Sequence, residues 1–360
     1  MTTGTTGASC RRRWWCCRRW RCAASASSTA SASRRRTAIR CSRRSPPRSG
    51  SSTRPRRASR SGSSRSGAGS TPRSEPSVAS ALRLGELSIE GWSRAGEETW
   101  FRVHPPGLGF DAGRGAAALV GARDLFLTHG HLDHALGVPW LLSQRKLQRA
   151  GPTRVVCPRG VAAGLEDFVA AAERLERVEY EREIVPIEAG GRVRVARELE
   201  VEAFEVDHVV PGLGYHLMRR RRRLRADLRG RSGEEIARRR AEGEAVEEEY
   251  EEVWLSYTGD TGPGVFERAP RLAESRVLLI ECTFLGERTR GRGGLYGHLH
   301  LEDLASRADR LAGCEAIVLF HLSRRHSRGE LERAVARLLP ALAPRVPARR
   351  ASAGARDGRA

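Results

Sequence analysis

Four metal-competent side chains fall within six residues in Thr128-His129-Gly130-His131-Leu132-Asp133-His134, directly after the apolar run Leu125-Phe126-Leu127. That feature sets the folding problem. A buried strand must end in a loop whose imidazoles and carboxylate converge. Alternate side chains of an extended loop point the same way, so His129 and His131 reach one ion while Asp133 and His134 face a second. Imidazole and carboxylate together suit zinc, with manganese or iron as alternatives. The competing reading is a solvated polar loop.

Two ions need more ligands than this cluster supplies. Asp207-His208 ends a strand whose apolar residues alternate, so His208 completes the first ion with His129 and His131. Asp260 lies in Tyr257-Thr258-Gly259-Asp260-Thr261, where a strand ends in a glycine turn. A carboxylate there bridges two ions held ~3.5–4 Å apart. His321, after Leu319-Phe320, completes the second ion with Asp133 and His134. A single strand-end histidine is usually structural; jointly these residues close two balanced sites. Asp111, in Phe110-Asp111-Ala112-Gly113, either holds a ligand histidine from behind or caps a turn.

The formal charge of +21 suggests a nucleic-acid binder, but it is unevenly placed. Residues 1–74 carry 19 arginines and no acid, leaving 45 basic residues against 43 acidic ones in the remainder. The foldable part is therefore nearly neutral. Residues 1–80 are Arg, Ser, Gly and Pro with few aliphatic side chains, too polar to bury a core. They read as a disordered tail translated from a mis-assigned start, with a basic RNA-holding tail or a targeting peptide as alternatives. Cys157, Cys282 and Cys314 sit in apolar runs as small core residues, and no disulfide framework is legible, which suits a reducing, cytoplasmic setting. No apolar stretch approaches the ~20 residues that span a bilayer.

From Ala81 short Val/Ile/Leu-rich runs alternate with helical patterns, which predicts layered α/β. Strands are expected at Leu82–Ile89, Trp100–Val103, Gly109–Asp111, Leu125–Thr128, Arg154–Cys157, Ile184–Ile187, Leu199–Asp207, Tyr215–Met218, Val253–Thr258, Val277–Ile280 and Ala316–Phe320. Helices are expected at Ala135–Arg149, Gly160–Leu175, Glu302–Leu311 and Gly329–Leu339. The catalytic domain would span 81–348, with 349–360 a disordered end. Residues 219–252 set an arginine run against an acidic block and read as a protruding helical arm, either paired with itself or gripping RNA.

In this order, the His-x-His-x-Asp-His loop, the His208 strand, Gly259-Asp260-Thr261 and Phe320-His321-Leu322-Ser323 resemble the metallo-β-lactamase superfamily. Val210-Pro211-Gly212-Leu213-Gly214-Tyr215 and Gly297-His298-Leu299-His300-Leu301 resemble ribonuclease Z, the tRNA 3′-processing endonuclease family. Gly233-Glu234-Glu235-Ile236 is similar to its short plant and cyanobacterial type. The resemblance covers residues 82–348 and implies an αββα sandwich of two mixed β-sheets flanked by helices. It also implies two Zn2+ per subunit, precursor tRNA as substrate, and a homodimer in which one subunit's arm serves the other's active site. Leu299 replaces the family's Ser or Thr, His326 stands at a family Tyr, and the usual Gly-Pro-rich arm is missing.

Diester hydrolysis needs a nucleophile at neutral pH, charge neutralisation at phosphorus and a proton for the leaving oxygen. Two metal ions lower the pKa of a shared water toward ~7, and Asp133 is placed to take its proton. The resemblance implies that His298 protonates the leaving oxygen and that Glu281, before Cys282-Thr283-Phe284, orients it. Arg325 would contact the scissile phosphate or is a surface arginine. Two rivals stand beside this nuclease: a small phosphodiesterase, lactonase or thioesterase on the same scaffold, and a non-catalytic RNA-binding protein.

Overall fold

The computed structural model describes residues 81–345 apart from 292, 294 and 295; the predicted tail 1–80 and end 349–360 lie outside the described residues. Two sheets form the centre. The first contains, in spatial order, β1 (Leu82–Leu84), β2 (Leu87–Arg94), β3 (Glu98–His104), β4 (Leu108–Phe110), β5 (Asp124–Phe126), β6 (Thr153–Pro158) and β7 (Arg182–Ile187). The second runs β13 (Ala316–Phe320), β12 (Val277–Glu281), β11 (Glu247–Tyr257), β10 (Leu213–Leu224), β9 (Leu199–Glu205), β8 (Arg192–Ala196). Both are mixed: β4 to β7 pair in parallel, as do β11, β12 and β13, and the remaining pairs are antiparallel.

Strand side chains alternate between faces, and here both faces are covered. Phe126 packs between the sheets with Phe101, Phe110, Tyr215, Tyr257 and Phe320, whereas Leu125 and Leu127 face an outer cluster. That cluster is completed by helices α2 (Val138–Leu147) and α3 (Arg159–Glu176). On β12, Val277 and Leu279 point inward while Leu278 and Ile280 pack under the helices Leu301–Ala305 and Arg328–Leu338. This is the expected αββα order. It explains why central strands read as continuous apolar runs rather than clean alternation.

Three expectations need correction. Leu82–Ile89 is not one strand: Gly85, at φ 58°, turns the chain between β1 and β2, a conformation glycine adopts at no steric cost. The metal loop is not extended throughout: α1 (Leu132–Ala135) places Asp133 and His134 in a helical turn, with the His131 carbonyl accepting from the amides of His134 and Ala135. The arm 219–252 is not mainly helical. β10 continues to Leu224 and β11 starts at Glu247, forming a two-stranded ribbon tipped by α4 (Gly233–Ala241). Arg219 opposes Glu252, Arg222 opposes Glu249, and Arg223 opposes Glu248. Opposite charges facing across a ladder stabilise it modestly, and an apolar-period reading has no means to register them.

The ribbon leaves the sheet at its far edge. β9 pairs with β10 as far as Arg219 opposite Leu199, the first residue of β9. Leu213, at the other end of β10, lies ~20 Å away at 3.3 Å per residue. No helix among the described residues is long and apolar enough to cross a membrane.

Candidate metal centre

Every predicted ligand follows the C-terminal end of a strand, at one common edge of the sandwich. His129, His131, Asp133 and His134 follow β5; His208 follows β9; Asp260 follows β11; Glu281 ends β12; and His321 follows β13. The ends of parallel strands are where open α/β sheets leave a crevice. His321 has φ 60° and Asp111 φ 53°. Such conformations are uncommon outside glycine and concentrate at functional sites.

The structure brings all seven predicted ligands together. Potential ligand atoms of His129, His131, His208 and Asp260 lie within 4.8 Å of one another, as do those of Asp133, His134 and His321. His131 Nδ1 is 3.1 Å from His129 Nε2 and 3.4 Å from His208 Nε2. On the second side, His321 Nε2 is 3.5 Å from Asp133 Oδ2 and 3.3 Å from Asp260 Oδ2. Asp260 faces both groups, with Oδ2 3.7 Å from His129 Nε2 and Oδ1 3.3 Å from His134 Nε2. Ligands ~2.1 Å from one tetrahedral zinc stand about 3.4 Å apart, so the observed spacings fit a shared cation.

Unmet polar groups argue the same way. His134 Nε2 and Asp260 Oδ1 are buried and make no hydrogen bond, a condition that costs roughly 1–3 kcal/mol per group unless something else satisfies it. Burial works against charge on His134, but the Asp260 and Asp111 carboxylates outweigh it and raise its pKa. The field that favours a proton there equally favours a metal cation. Burial likewise opposes ionisation of Asp260, yet His134 and His321 hold its carboxyl well below the usual carboxylate range.

The far side of nearly every ring is held. His134 Nδ1 donates to Asp111 Oδ2 at 2.8 Å, and His208 Nδ1 donates to the Gly297 carbonyl at 2.9 Å. His129 Nδ1 meets Thr128 Oγ1 at 3.0 Å, and that hydroxyl donates onward to Asp111. His321 Nδ1 meets Thr283 Oγ1 at 3.0 Å, and Thr283 donates to Glu281 at 2.6 Å. These bonds place the proton on Nδ1 and leave Nε2 free to ligate. Asp111 therefore fills the first of the two roles offered by the sequence, holding a ligand histidine from behind, and its other bonds reach distant residues rather than capping a turn. It backs His134, and it accepts from the Thr128 amide at 2.7 Å and the Tyr257 hydroxyl at 2.6 Å. Thr128, Thr283 and Tyr257 were missed; a hydroxyl residue one to three positions from a site residue is too common in sequence to single out.

Glu281 is fully buried and accepts four hydrogen bonds, from Thr261 N, Thr283 Oγ1, Leu299 N and His298 Nδ1. The His298 bond is 2.8 Å. Its ring stacks on His321, with centroids 5.2 Å apart. Burial lowers the pKa of His298, but the Glu281 and Asp260 carboxylates outweigh it and push it up to about 9. Asp133 Oδ2 accepts from the Gly96 amide at 2.9 Å. Arg325 sits four residues beyond His321, exposed, with no side-chain ion pair among the described residues.

A sequence model described as Beta-lactamase superfamily domain matches residues 114–322. The tRNase Z TRZ1 of Arabidopsis thaliana is 28% identical over 269 residues, covering 74% of this chain and 96% of its own length. The Nuclear ribonuclease Z of Triticum aestivum is 31% identical over 162 residues, covering 45% of this chain and 92% of its own. The Ribonuclease Z of Thermobifida fusca (strain YX) is 31% identical over 286 residues, covering 70% of this chain and 86% of its own. With the fold, the buried His/Asp clusters and these relatives in agreement, the chain belongs to the ribonuclease Z family of the β-lactamase superfamily.

Proposed function

We propose that this protein is a zinc-dependent endoribonuclease that removes the 3′ trailer from precursor tRNA. The observation that carries the reading is the His298–Glu281 pair set against the two ligand clusters. A metal cluster alone serves many hydrolases, whereas a charged, buried-carboxylate-held histidine beside it supplies the acid that an RNA leaving oxygen requires. The tRNase Z and Ribonuclease Z relatives point to the same substrate.

One Zn2+ would be held by His129, His131 and His208, a second by Asp133, His134 and His321, with Asp260 shared. When bound, the ions supply an activated water and neutralise charge at phosphorus. Asp133, kept in place by the Gly96 amide, accepts the proton of the attacking water. His298 gives its proton to the departing oxygen, and Glu281 fixes the ring's orientation and keeps it charged. Arg325 lies against the scissile phosphate.

The ribbon's position is in keeping with a homodimer, because an arm leaving the edge opposite the metal centre extends away from its own site. In a dimer it reaches RNA held by the second subunit. The compartment proposed is the cytoplasm, in keeping with the three free, buried cysteines among the described residues.

The test incubates the zinc-loaded protein with a 3′-extended precursor tRNA and with bis-p-nitrophenyl phosphate, using Asp133→Ala as control. Cleavage at the 3′ end of the acceptor stem, lost in the variant, supports the nuclease. Turnover of the small diester with intact tRNA would replace it with a small phosphodiesterase. Binding without cleavage of either would leave an RNA-binding protein.

A further inference from the structure

Several large apolar side chains beside the metal centre remain exposed, among them Leu132 at 62%, Val209 at 61% and Tyr296 at 56%. Val209 immediately follows His208, and Tyr296 precedes His298 by two residues. The chain between them is packed closely. Gly297, at φ 66°, accepts from His208 Nδ1–H through its carbonyl, and a Cβ there would sit 3.1 Å from His208 Cα, His208 Nδ1 and Val209 N. Only glycine lets the two segments touch, so Tyr296 and Val209, which flank this contact in sequence, lie on the His208 side of the cluster.

The start of the Tyr296 loop is also tied down. His326 Nε2 accepts from the Leu285 amide at 3.3 Å, and His300 Nε2 donates to the Gly286 carbonyl at 3.0 Å. The Thr289 hydroxyl donates to the Leu285 carbonyl at 2.6 Å. Both ends of the loop are therefore anchored. Tyr296 itself makes no hydrogen bond or ring contact among the described residues. A tyrosine more than half exposed beside the cluster offers ring surface to a ligand.

We propose that Tyr296, with Val209 beside it, is the platform on which a nucleobase flanking the scissile phosphate stacks, making it a specificity-determining residue of the nuclease. This rests on the endoribonuclease reading. A phosphodiester held at the metal edge projects its two flanking nucleosides along the rim. An aromatic face accepts any base, because every base has a π-face. Such a platform would help place one particular bond over the metals.

The experiment compares wild type, Tyr296→Ala and Tyr296→Phe on a 3′-extended precursor tRNA. It repeats the comparison on precursors with an abasic nucleotide on either side of the scissile bond. Stacking is worth ~1–3 kcal/mol per base, so Tyr296→Ala is expected to raise KM roughly ten- to hundredfold with a smaller effect on kcat, and Tyr296→Phe to restore it. One of the abasic precursors should impose the same loss on wild type, and Tyr296→Ala should add nothing to it. Equal losses on natural and abasic precursors would show a merely structural role and overturn the proposal. Unchanged KM in Tyr296→Ala would do the same. Wild type that cuts no precursor would overturn the endoribonuclease reading itself, an outcome visible before any variant is made.

Discussion

The metal edge and the ribbon are both crowded with charge, yet they are built on opposite principles. At the metal edge Asp111, Asp260, Glu281, His129, His134 and His321 are buried, and most of their polar atoms are assigned to a named partner. Removing one partner there strands a buried charge. Along the ribbon Arg222, Arg223, Glu248 and Glu249 are well exposed. Water can replace either partner, and such pairs contribute 0–1 kcal/mol. Ionisable side chains are thus indispensable at one edge and nearly interchangeable at the other. What separates them is solvent.

The comparison breaks most easily at Asp260. Asp260→Ala removes the carboxylate shared by both clusters, and single-turnover cleavage is expected to fall more than ~10³-fold as both sites lose metal. A variant retaining a tenth of the activity would mean the two clusters are independent. Glu281→Gln is the next step down. It keeps the shape and one accepting oxygen but removes the charge facing His298, and should lower kcat about 10–100-fold with KM little changed.

How legible these two edges were follows from the same contrast. The ligands His129, His131, Asp133, His134, His208, Asp260 and His321 could be read because metal chemistry restricts residue type and each follows an apolar strand. Their supports could not: Thr128 and Thr283 matter only through atoms that the fold brings within 3 Å. The helical turn at Asp133 and His134 was hidden because four residues carry too little periodicity to show one. In the ribbon no apolar period exists at all, so only the cross-strand ladder of Arg219–Leu224 against Glu247–Glu252 reveals a hairpin. β8 was missed for a related reason, since its Arg192 and Arg194 alternate with valines at a half-exposed edge.

Stability sharpens the contrast further. Tyr257 is fully buried and donates to Asp111 at 2.6 Å. Hydrogen bonds to charged groups contribute about 1.5–3 kcal/mol, so Tyr257→Phe should lower denaturant-derived stability by that amount and leave the fold intact. His216 offers a pH test away from the metals. Its ring stacks near Phe204 and bonds Ser256 at 2.7 Å. Burial, with help from Arg271, lowers its pKa from 6.5 to about 3. The unfolded chain therefore takes up a proton below pH ~6.5 that the folded chain refuses. Its stabilising effect is full above that pH and is lost by about 1.4 kcal/mol per unit toward pH 3. His216→Gln should flatten that acid limb in chemical denaturation, and an unchanged limb would exclude His216 as its source. At the bottom of the scale, Arg222→Ala in the ribbon should shift stability by no more than ~0.5 kcal/mol.

The central claim is that the buried His/Asp clusters exist to hold two cations, and zinc stoichiometry tests it most directly. The metal-stripped protein would be dialysed against zinc and its content measured alongside Asp260→Ala. The account predicts two tightly held zinc ions per chain, with both lost or greatly weakened in the variant. One ion or none in the wild-type protein, or two retained without Asp260, would contradict it.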